Sequence, residues 1–208
     1  GYDLHAEARL RALLPEAIPR RVRILSNRGA ANPIAAGQLA VRIAQENGLQ
    51  CRVAVVTGDD VLHLIDQEAH ALEDGKPLSS HGEIVSANAY LGADSLLPGL
   101  QAGADVVITG RVADPSLFVA ALVDRFGWDV DDEAMMAAAT LAGHLLECGT
   151  QVSGGCFADP GYKVVPGLAD IGLPFADISH DGTFSIGKLD GTGGLIDRRT
   201  VREQLLYE

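Results

Sequence analysis

The sequence predicts an α/β fold in which an open, mostly parallel sheet is flanked by helices and is followed by a glycine-rich β-hairpin section. Short apolar runs recur about every thirty residues and alternate with polar loops and helical patterns, as in parallel βαβ units. One run, "ADVVIT", is apolar almost throughout, which is typical of a strand covered on both faces. Beyond Gly149, the dipeptide Asp181-Gly182 separates two strand-like segments and predicts a hairpin. A partial β/α barrel shares the same local pattern and is the second choice.

The first strand and the first clear helix are predicted between residues 22 and 48. "VRIL" forms a short apolar run and is followed by "SNRGAANP". Asn32 suits the N-cap of a helix and Pro33 suits its first position. Apolar residues then recur at helical spacing up to Gly48, namely Ala36, Leu39, Ala40, Ile43 and Ala44.

The next section predicts two further strands, each followed by a helix. The run from Arg52 to Val56 predicts the second strand, and "TGDD" follows it. A helix is expected next, with Val61, Leu64, Ile65, Ala69 and Leu72 facing inward. "EIVSA" predicts the third strand, and a short helix is expected around residues 96–102.

The fourth strand, "ADVVIT", precedes two longer helices. The first is expected from Pro115 to Phe126, capped by Asp114 and ended by Gly127; the second spans roughly Asp132 to Cys148. "TVREQLLYE" predicts a final helical segment. We expect residues 1–150 to form an α/β core that lacks an N-terminal strand unit, and residues 151–208 to form a β-rich extension packed on the same domain.

The composition restricts the class of partner. The formal net charge of −12 argues against nucleic acid and against an anionic membrane surface, because both attract basic patches. Three cysteines without paired spacing indicate reduced thiols in a cytoplasmic protein. A small anionic molecule is the expected partner, and self-association is left open.

Polar residues cluster in the loops that follow the predicted strands. Ligands of parallel α/β sheets bind beyond the carboxyl ends of the strands, so these loops predict one shared binding site. The candidate substrate-binding residues are Asn27, Arg28, Asn32, Asp59, Asn88, Tyr90, Thr109, Arg111 and Asp114. The alternative for Asn32, Asp59 and Asp114 is simple helix capping.

"TGRVADPS" is the most informative of these loops. Gly110 is expected to allow an unusual backbone angle, and Arg111 offers a planar fork for a carboxylate or phosphate. Beside a helix start, this loop predicts an anion cradle. The alternative is a surface ion pair between Arg111 and Asp114.

Candidate catalytic residues lie further along the chain. His144, Glu147 and Cys148 are spaced i, i+3 and i+4, which suits general acid–base chemistry on one helix face. A half-buried structural histidine is the alternative, and the lack of a second histidine predicts no metal site. Lys163 lies in the turn "ADPGYK", and Gly193 lies in "DGTGG", whose amides are candidates for phosphate contact. No Walker loop, GxGxxG or GxSxG motif occurs, and the cofactor stays open.

The combination "NAYLGAD", "GADVVITGRVADPSLF", "AGHLLECGTQVSGGCFADPGYK" and "TVREQLLYE" resembles the acyclic terpene utilisation AtuA family along the whole chain. The resemblance implies a role in the breakdown of citronellol- and geraniol-type terpenoids and a chemistry of branched acyl-CoA thioesters. It also implies that the chain is the middle of a longer domain, with an earlier glycine-rich strand and a continuation.

Two classes of function follow from these observations. The first is an enzyme of the lyase or hydratase type, in which Arg111 holds an anionic group, His144 or Glu147 moves a proton, and Lys163 polarises a carbonyl or holds a phosphate. The second is a non-catalytic module that binds acyl-CoA or assembles with a carboxylase. A nucleotide-dependent ligase or kinase is disfavoured because the P-loop lysine is missing.

Overall fold

The computed structural model describes residues 1–207. The chain divides into two compact units, Gly1–Ala113 and Asp114–Glu208. This division does not coincide with the domain boundary expected near residue 150, which stays a prediction.

The first unit contains a three-stranded parallel sheet. Its strands are β1 (Ile24–Ser26), β2 (Val53–Val56) and β3 (Val106–Thr109), in the order β1-β3-β2. The helices of this unit are α1 (Ala6–Ala17), α2 (Pro33–Glu46) and α3 (Leu97–Gln101). The predicted α/β class with an open parallel sheet is therefore confirmed.

Helices cover both faces of this sheet. A Cβ placed on Gly37 of α2 would collide with Val55, whereas a Cβ on Gly99 of α3 would lie 2.9 Å from Ala54. Because successive strand residues point to opposite faces, α2 and α3 lie on opposite sides of β2. α1 packs on α2, and the buried cluster that joins them to β3 includes Leu10, Leu14, Leu39, Ile43, Val106 and Ile108.

The helix expected over residues 61–72 is wrong. Only a 3-10 turn, Leu62–Leu64, forms there, and Leu72 is 99% exposed. None of the apolar positions of this segment is buried, so the segment has no packed face that would stabilise a helix. The segment folds instead through local contacts such as the bond from the Glu68 amide to Asp66 Oδ1.

The strand expected at "EIVSA" is also wrong. Residues 83–87 form no strand, and β3, the central strand, already has a partner on each side. The segment instead runs antiparallel to the residues that follow β2: Val61 N donates to Ala87 O, and Asp60 and Asn88 form an isolated bridge. The sheet of the described residues therefore has three strands rather than four.

The second unit contains α4 (Ser116–Phe126), α5 (Glu133–Glu147) and α6 (Arg198–Tyr207), with an antiparallel hairpin of β4 (Pro174–Ile178) and β5 (Phe184–Lys188). The predicted hairpin is confirmed, with Gly182 in the left-handed region at its turn. The Gly127 end of α4 is also confirmed, and α5 forms close to its expected bounds, with Asp132 as its N-cap.

The predicted cap of α4 is wrong. The N-cap residue is Pro115, whose side chain makes no capping hydrogen bond. Asp114 is exposed and lies one residue outside the cap position.

Across the helices formed by residues 1–207, none combines the length and the apolar character needed to cross a membrane.

Candidate functional site

A cavity of about 330 Å³ lies in the first unit, beyond the carboxyl ends of β1 and β2. The loop between β1 and α2, the residues that follow β2, and the segment before Asn88 form its walls. This edge is where ligands of parallel α/β sheets bind. The lining residues are Ala30, Ala31, Asn32, Pro33, Ile34, Thr57, Gly58, Asp59, Asp60, Leu62, Val85, Ser86 and Asn88.

Asp59 connects three segments of this site. Its side chain is held where only 4% of the residue is exposed. Oδ2 accepts hydrogen bonds from the Arg111 backbone amide at 2.9 Å and from Asn88 Nδ2 at 3.2 Å. The Asp59 carbonyl also accepts from the Ala89 amide at 2.8 Å. The carboxylate therefore fixes the ends of β2 and β3 and the 88–89 segment relative to one another.

The second carboxylate oxygen of Asp59, Oδ1, differs from Oδ2 in its hydrogen bonding. Within residues 1–207, no donor forms a hydrogen bond to Oδ1. A buried carboxylate oxygen is stable only when a donor or solvent reaches it. Since Asp59 lines the cavity, its carboxylate is a candidate acceptor for a ligand hydroxyl or for water.

Gly110 makes this arrangement sterically feasible. A Cβ at this position would lie 2.5 Å from both carboxylate oxygens of Asp59. The sequence-based expectation of an unusual backbone angle is wrong, because Gly110 is not among the residues with positive φ. Glycine fits here because Asp59 approaches the backbone closely.

Arg111 and Tyr90 form a pair beside Asp59. The Arg111 guanidinium donates a hydrogen bond to the Tyr90 hydroxyl, and its carbon lies 4.8 Å from the centre of the Tyr90 ring. Both side chains are exposed. Thus Arg111 contributes its amide to the buried carboxylate and presents its cationic end at the surface.

The β1–α2 loop contributes two polar residues that have partners within the protein. Asn32 caps α2 by accepting from the Ala35 amide at 3.0 Å, so its predicted capping role is confirmed, and it also lines the cavity. Arg28 forms an ion pair with Asp3 at 2.8 Å. The pKa of Asp3 is lowered, first by the His5 amide and then by Arg28.

Asn27 and Thr109 do not line the cavity. Asn27 is exposed, and its carbonyl accepts from the Ala30 amide. Thr109 is fully buried, and its hydroxyl donates to the Gly110 carbonyl at 3.0 Å.

The charge of the cavity wall is negative. Two lining residues, Asp59 and Asp60, are acidic, and no basic residue of the described chain lines the cavity. The N-terminus of α2 supplies a partial positive charge of roughly one half at the same place. This combination favours a neutral hydrogen-bond donor inside the cavity. An anionic group of a ligand would instead find its cationic partners at the protein surface.

In the second unit, His144, Glu147 and Cys148 lie at the end of α5. The His144 carbonyl accepts from Gln204 Nε2 of α6 at 3.1 Å, and the His144 residue is half-buried. Cys148 Sγ donates to Glu147 Oε2 at 2.6 Å. The thiol and the carboxylate are therefore in direct contact.

Lys163 is held by an ion pair. Its Nζ donates to both oxygens of Glu203 at 2.8 Å and lies 4.8 Å from the centre of the Phe157 ring. Arg199 lies on the same ring at 5.5 Å. A ligand that used Lys163 would have to compete with Glu203 for the ammonium group.

The last two amides of "DGTGG" have partners within the protein. The Gly193 amide donates to the Asp170 carbonyl and the Gly194 amide donates to the Pro166 carbonyl, both at 2.7 Å. The Gly193 backbone also lies directly against Gly167. These contacts explain the two glycines by close backbone packing, and the phosphate contact stays a prediction.

Comparison with known families shows to which family the chain belongs. The family model described as "Acyclic terpene utilisation family protein AtuA" matches residues 1–208, the whole chain. The chain belongs to the AtuA family. No curated protein and no solved structure matches it significantly.

The sequence analysis missed part of the cavity of this AtuA family member. Asp60, Val85 and Ser86 line it, although "EIVSA" was expected to be a strand. The signal for Asp60 was its position beside Asp59 in "TGDD". No local signal identified Val85 and Ser86, since their place depends on the pairing of Asn88 with Asp60.

In chemical terms, the cavity offers oxygen acceptors and amide groups. No group of three or more His, Cys, Asp and Glu side chains among residues 1–207 has the arrangement needed to hold a metal ion. Asp59 is the one buried charged side chain among the described lining residues, and its Oδ2 accepts hydrogen bonds from Arg111 and Asn88.

Proposed function

We propose that this AtuA family member is a lyase- or hydratase-type enzyme of acyclic terpenoid and branched acyl-CoA breakdown. The observation that carries the proposal is the buried Asp59 carboxylate, which has one bonded oxygen and one unbonded oxygen at a cavity on the ligand-binding edge of the sheet. We place the reaction in the cytoplasm, with a small acyl-CoA or related carboxylate as substrate.

Asp59 would act as the general base for the addition of water to a conjugated carbon–carbon double bond. The carboxylate takes a proton from water while the water oxygen bonds to the β-carbon. The electron pair of the double bond moves to the α-carbon, which takes a proton from a general acid. In the reverse direction the same groups remove water from a hydroxyacyl compound.

Arg111 would hold the anionic part of the substrate. Its guanidinium is exposed and lies on Tyr90, whereas its amide is fixed to Asp59. A phosphate or carboxylate bound there would keep its charge away from Asp59 and Asp60.

In the second unit, His144, Glu147 and Lys163 stay candidate catalytic residues. The Glu147 carboxylate accepts a hydrogen bond from the Cys148 thiol, which supports Glu147 as a residue that exchanges protons. The ion pair of Lys163 with Glu203 favours a structural role for that lysine.

The second candidate function is a module that binds acyl-CoA or assembles with a carboxylase without chemistry. The exposed Arg111–Tyr90 pair favours it, because the pair could hold an anion without any base. It predicts binding that leaves the ligand unchanged.

The test is incubation of the full-length protein with a panel of branched, unsaturated and hydroxylated acyl-CoAs, followed by mass spectrometry. A gain or loss of one water is the expected result. D59N, which keeps the shape of the side chain but removes the base, should lower turnover by about 10²–10⁴. D60N changes a second carboxylate of the same cavity and should lower it far less.

Two outcomes would contradict the proposal. Calorimetric binding without any change in ligand mass would favour the binding module. Full turnover by D59N would remove Asp59 from the reaction, and the same assay on H144A and E147A then shows whether either residue is the base.

A further inference from the structure

An apolar groove of about 350 Å³ runs along the outer side of α2 and β2. Among residues 1–207, β2 is an edge strand of the sheet, and no further strand pairs with its outer side. Four of the eight lining residues are aliphatic, two are glutamines, one is a glycine, and one, Arg42, is charged. The lining residues are Ile34, Gly37, Gln38, Val41, Arg42, Gln45, Val53 and Val55.

This groove adjoins the cavity at the carboxyl edge of the sheet. Ile34 lines both, and it is 56% exposed. From Ile34 the groove follows α2 toward Gln45, a distance of about 16 Å at the usual rise per helical residue. A polar compartment and an aliphatic compartment therefore share one wall.

Gly37 determines the shape of the groove. It faces Val55, and a Cβ at this position would collide with that side chain. The glycine therefore lets α2 lie close to β2. Val41 and Val55 are left partly exposed on the two sides of the groove.

We propose that the groove and the cavity form one amphipathic site, which takes the aliphatic chain of a ligand along α2 and its hydroxyl end beside Asp59. The proposal rests on the proposed function, since it concerns the ligand of the same cavity. The acidic lining of the cavity selects a hydrogen-bond donor at the polar end. The aliphatic lining of the groove selects a chain without charged groups.

Binding of a series of primary alcohols, from butanol to decanol and including citronellol, tests the proposal on the full-length protein. Isothermal titration should show the affinity rising about three- to four-fold per added methylene group, which is the transfer free energy of a buried methylene expressed as a ratio. The increase should stop once the chain exceeds the length of the groove.

A matched pair of variants tests whether the aliphatic chain of the ligand binds in the groove. V41E places a carboxylate in the groove and should weaken citronellol binding about ten-fold or more, because the aliphatic chain would then lie against a charge. L13E introduces the same carboxylate at an exposed leucine of α1 and should leave the affinity unchanged. Thermal unfolding of both variants checks that each is folded.

The results separate this proposal from the proposed function. An affinity that does not depend on chain length, or equal affinities for V41E and the unmodified protein, would overturn the amphipathic site even if D59N abolishes turnover. Chain-length dependence without turnover would support the site and reject the lyase or hydratase reaction. If V41E instead changes the sedimentation of the protein and leaves citronellol binding unchanged, a second copy of the chain occupies the groove and the proposal is wrong.

Discussion

Asp59 and Gly110 show how a single contact can determine the geometry of a site. The two residues lie far apart in the sequence, and the carboxylate occupies the space that a side chain at residue 110 would need. The sequence showed that a glycine follows the buried strand, but it gave no sign of which atom lies opposite. By contrast, the role of Asn32 as a cap was predictable, because its partner is only three residues away.

G110A is expected to destabilise the protein by about 1–3 kcal/mol, since Asp59 is buried and has little room to move. Urea denaturation measures the change in the free energy of unfolding. G92A is the matched control: its Cβ would lie 2.6 Å from a carboxylate oxygen of Asp94, but that side chain is exposed and can rotate. Equal losses in the two variants would contradict the tight packing of Asp59 against Gly110.

At the scale of elements, the parts with strong local signals were predicted and the parts that depend on long-range pairing were not. α2, α5 and the β4–β5 hairpin have caps, helical spacing or a turn dipeptide. Residues 61–72 have helical spacing too, yet an amphipathic helix needs a surface on which to bury its apolar side. In the structure none of the apolar positions of this segment is buried, and no pattern within the segment could reveal this.

The start of α2 carries a prediction that separates capping from ligand binding. N32A removes the acceptor of the Ala35 amide and should lower the free energy of unfolding by about 0.5–2 kcal/mol, whereas N32S keeps a cap and should stay within about 0.5 kcal/mol. Chemical denaturation measures both.

Alcohol binding to the two variants completes this test. N32S with unchanged stability but weaker binding would show that the amide also contacts the ligand. Equal destabilisation by serine and alanine would show that the cap contributes little to α2.

For the whole molecule, the net charge of −12 and the expected anionic substrate must both be accommodated. The cavity does not resolve this by surrounding an anion with cations, because its charged lining is acidic. The cations available to an anion in the first unit lie at the surface, as Arg111 does. From composition alone, an anion-binding site was expected to have a local electrostatic potential more positive than the net charge suggests. Where the acidic and basic groups lie could be seen only in the folded structure.

The same excess of acidic groups makes the stability depend on pH in a direction that can be worked out. The pKa of Asp181 is lowered below its usual 3.8, first by the Thr183 hydroxyl and then by the Thr183 amide. The pKa of Asp197 is lowered first by the Arg199 side chain. A carboxyl whose pKa is lower in the folded state stabilises the fold above its unfolded pKa, and this contribution is lost as the pH falls through the folded pKa.

We therefore expect D181N to lose less stability than the unmodified protein when urea denaturation is repeated from about pH 5 down to about pH 2. For T183V, the slope of the free energy of unfolding against pH should be intermediate. This variant removes the hydroxyl but keeps the amide that donates to Asp181 Oδ1 at 3.1 Å. Acidification also reduces repulsion among the other carboxylates in all three proteins, so the difference between their slopes, rather than any slope alone, reports on Asp181. Identical slopes would mean that the turn between β4 and β5 binds the proton equally well in the folded and unfolded chains.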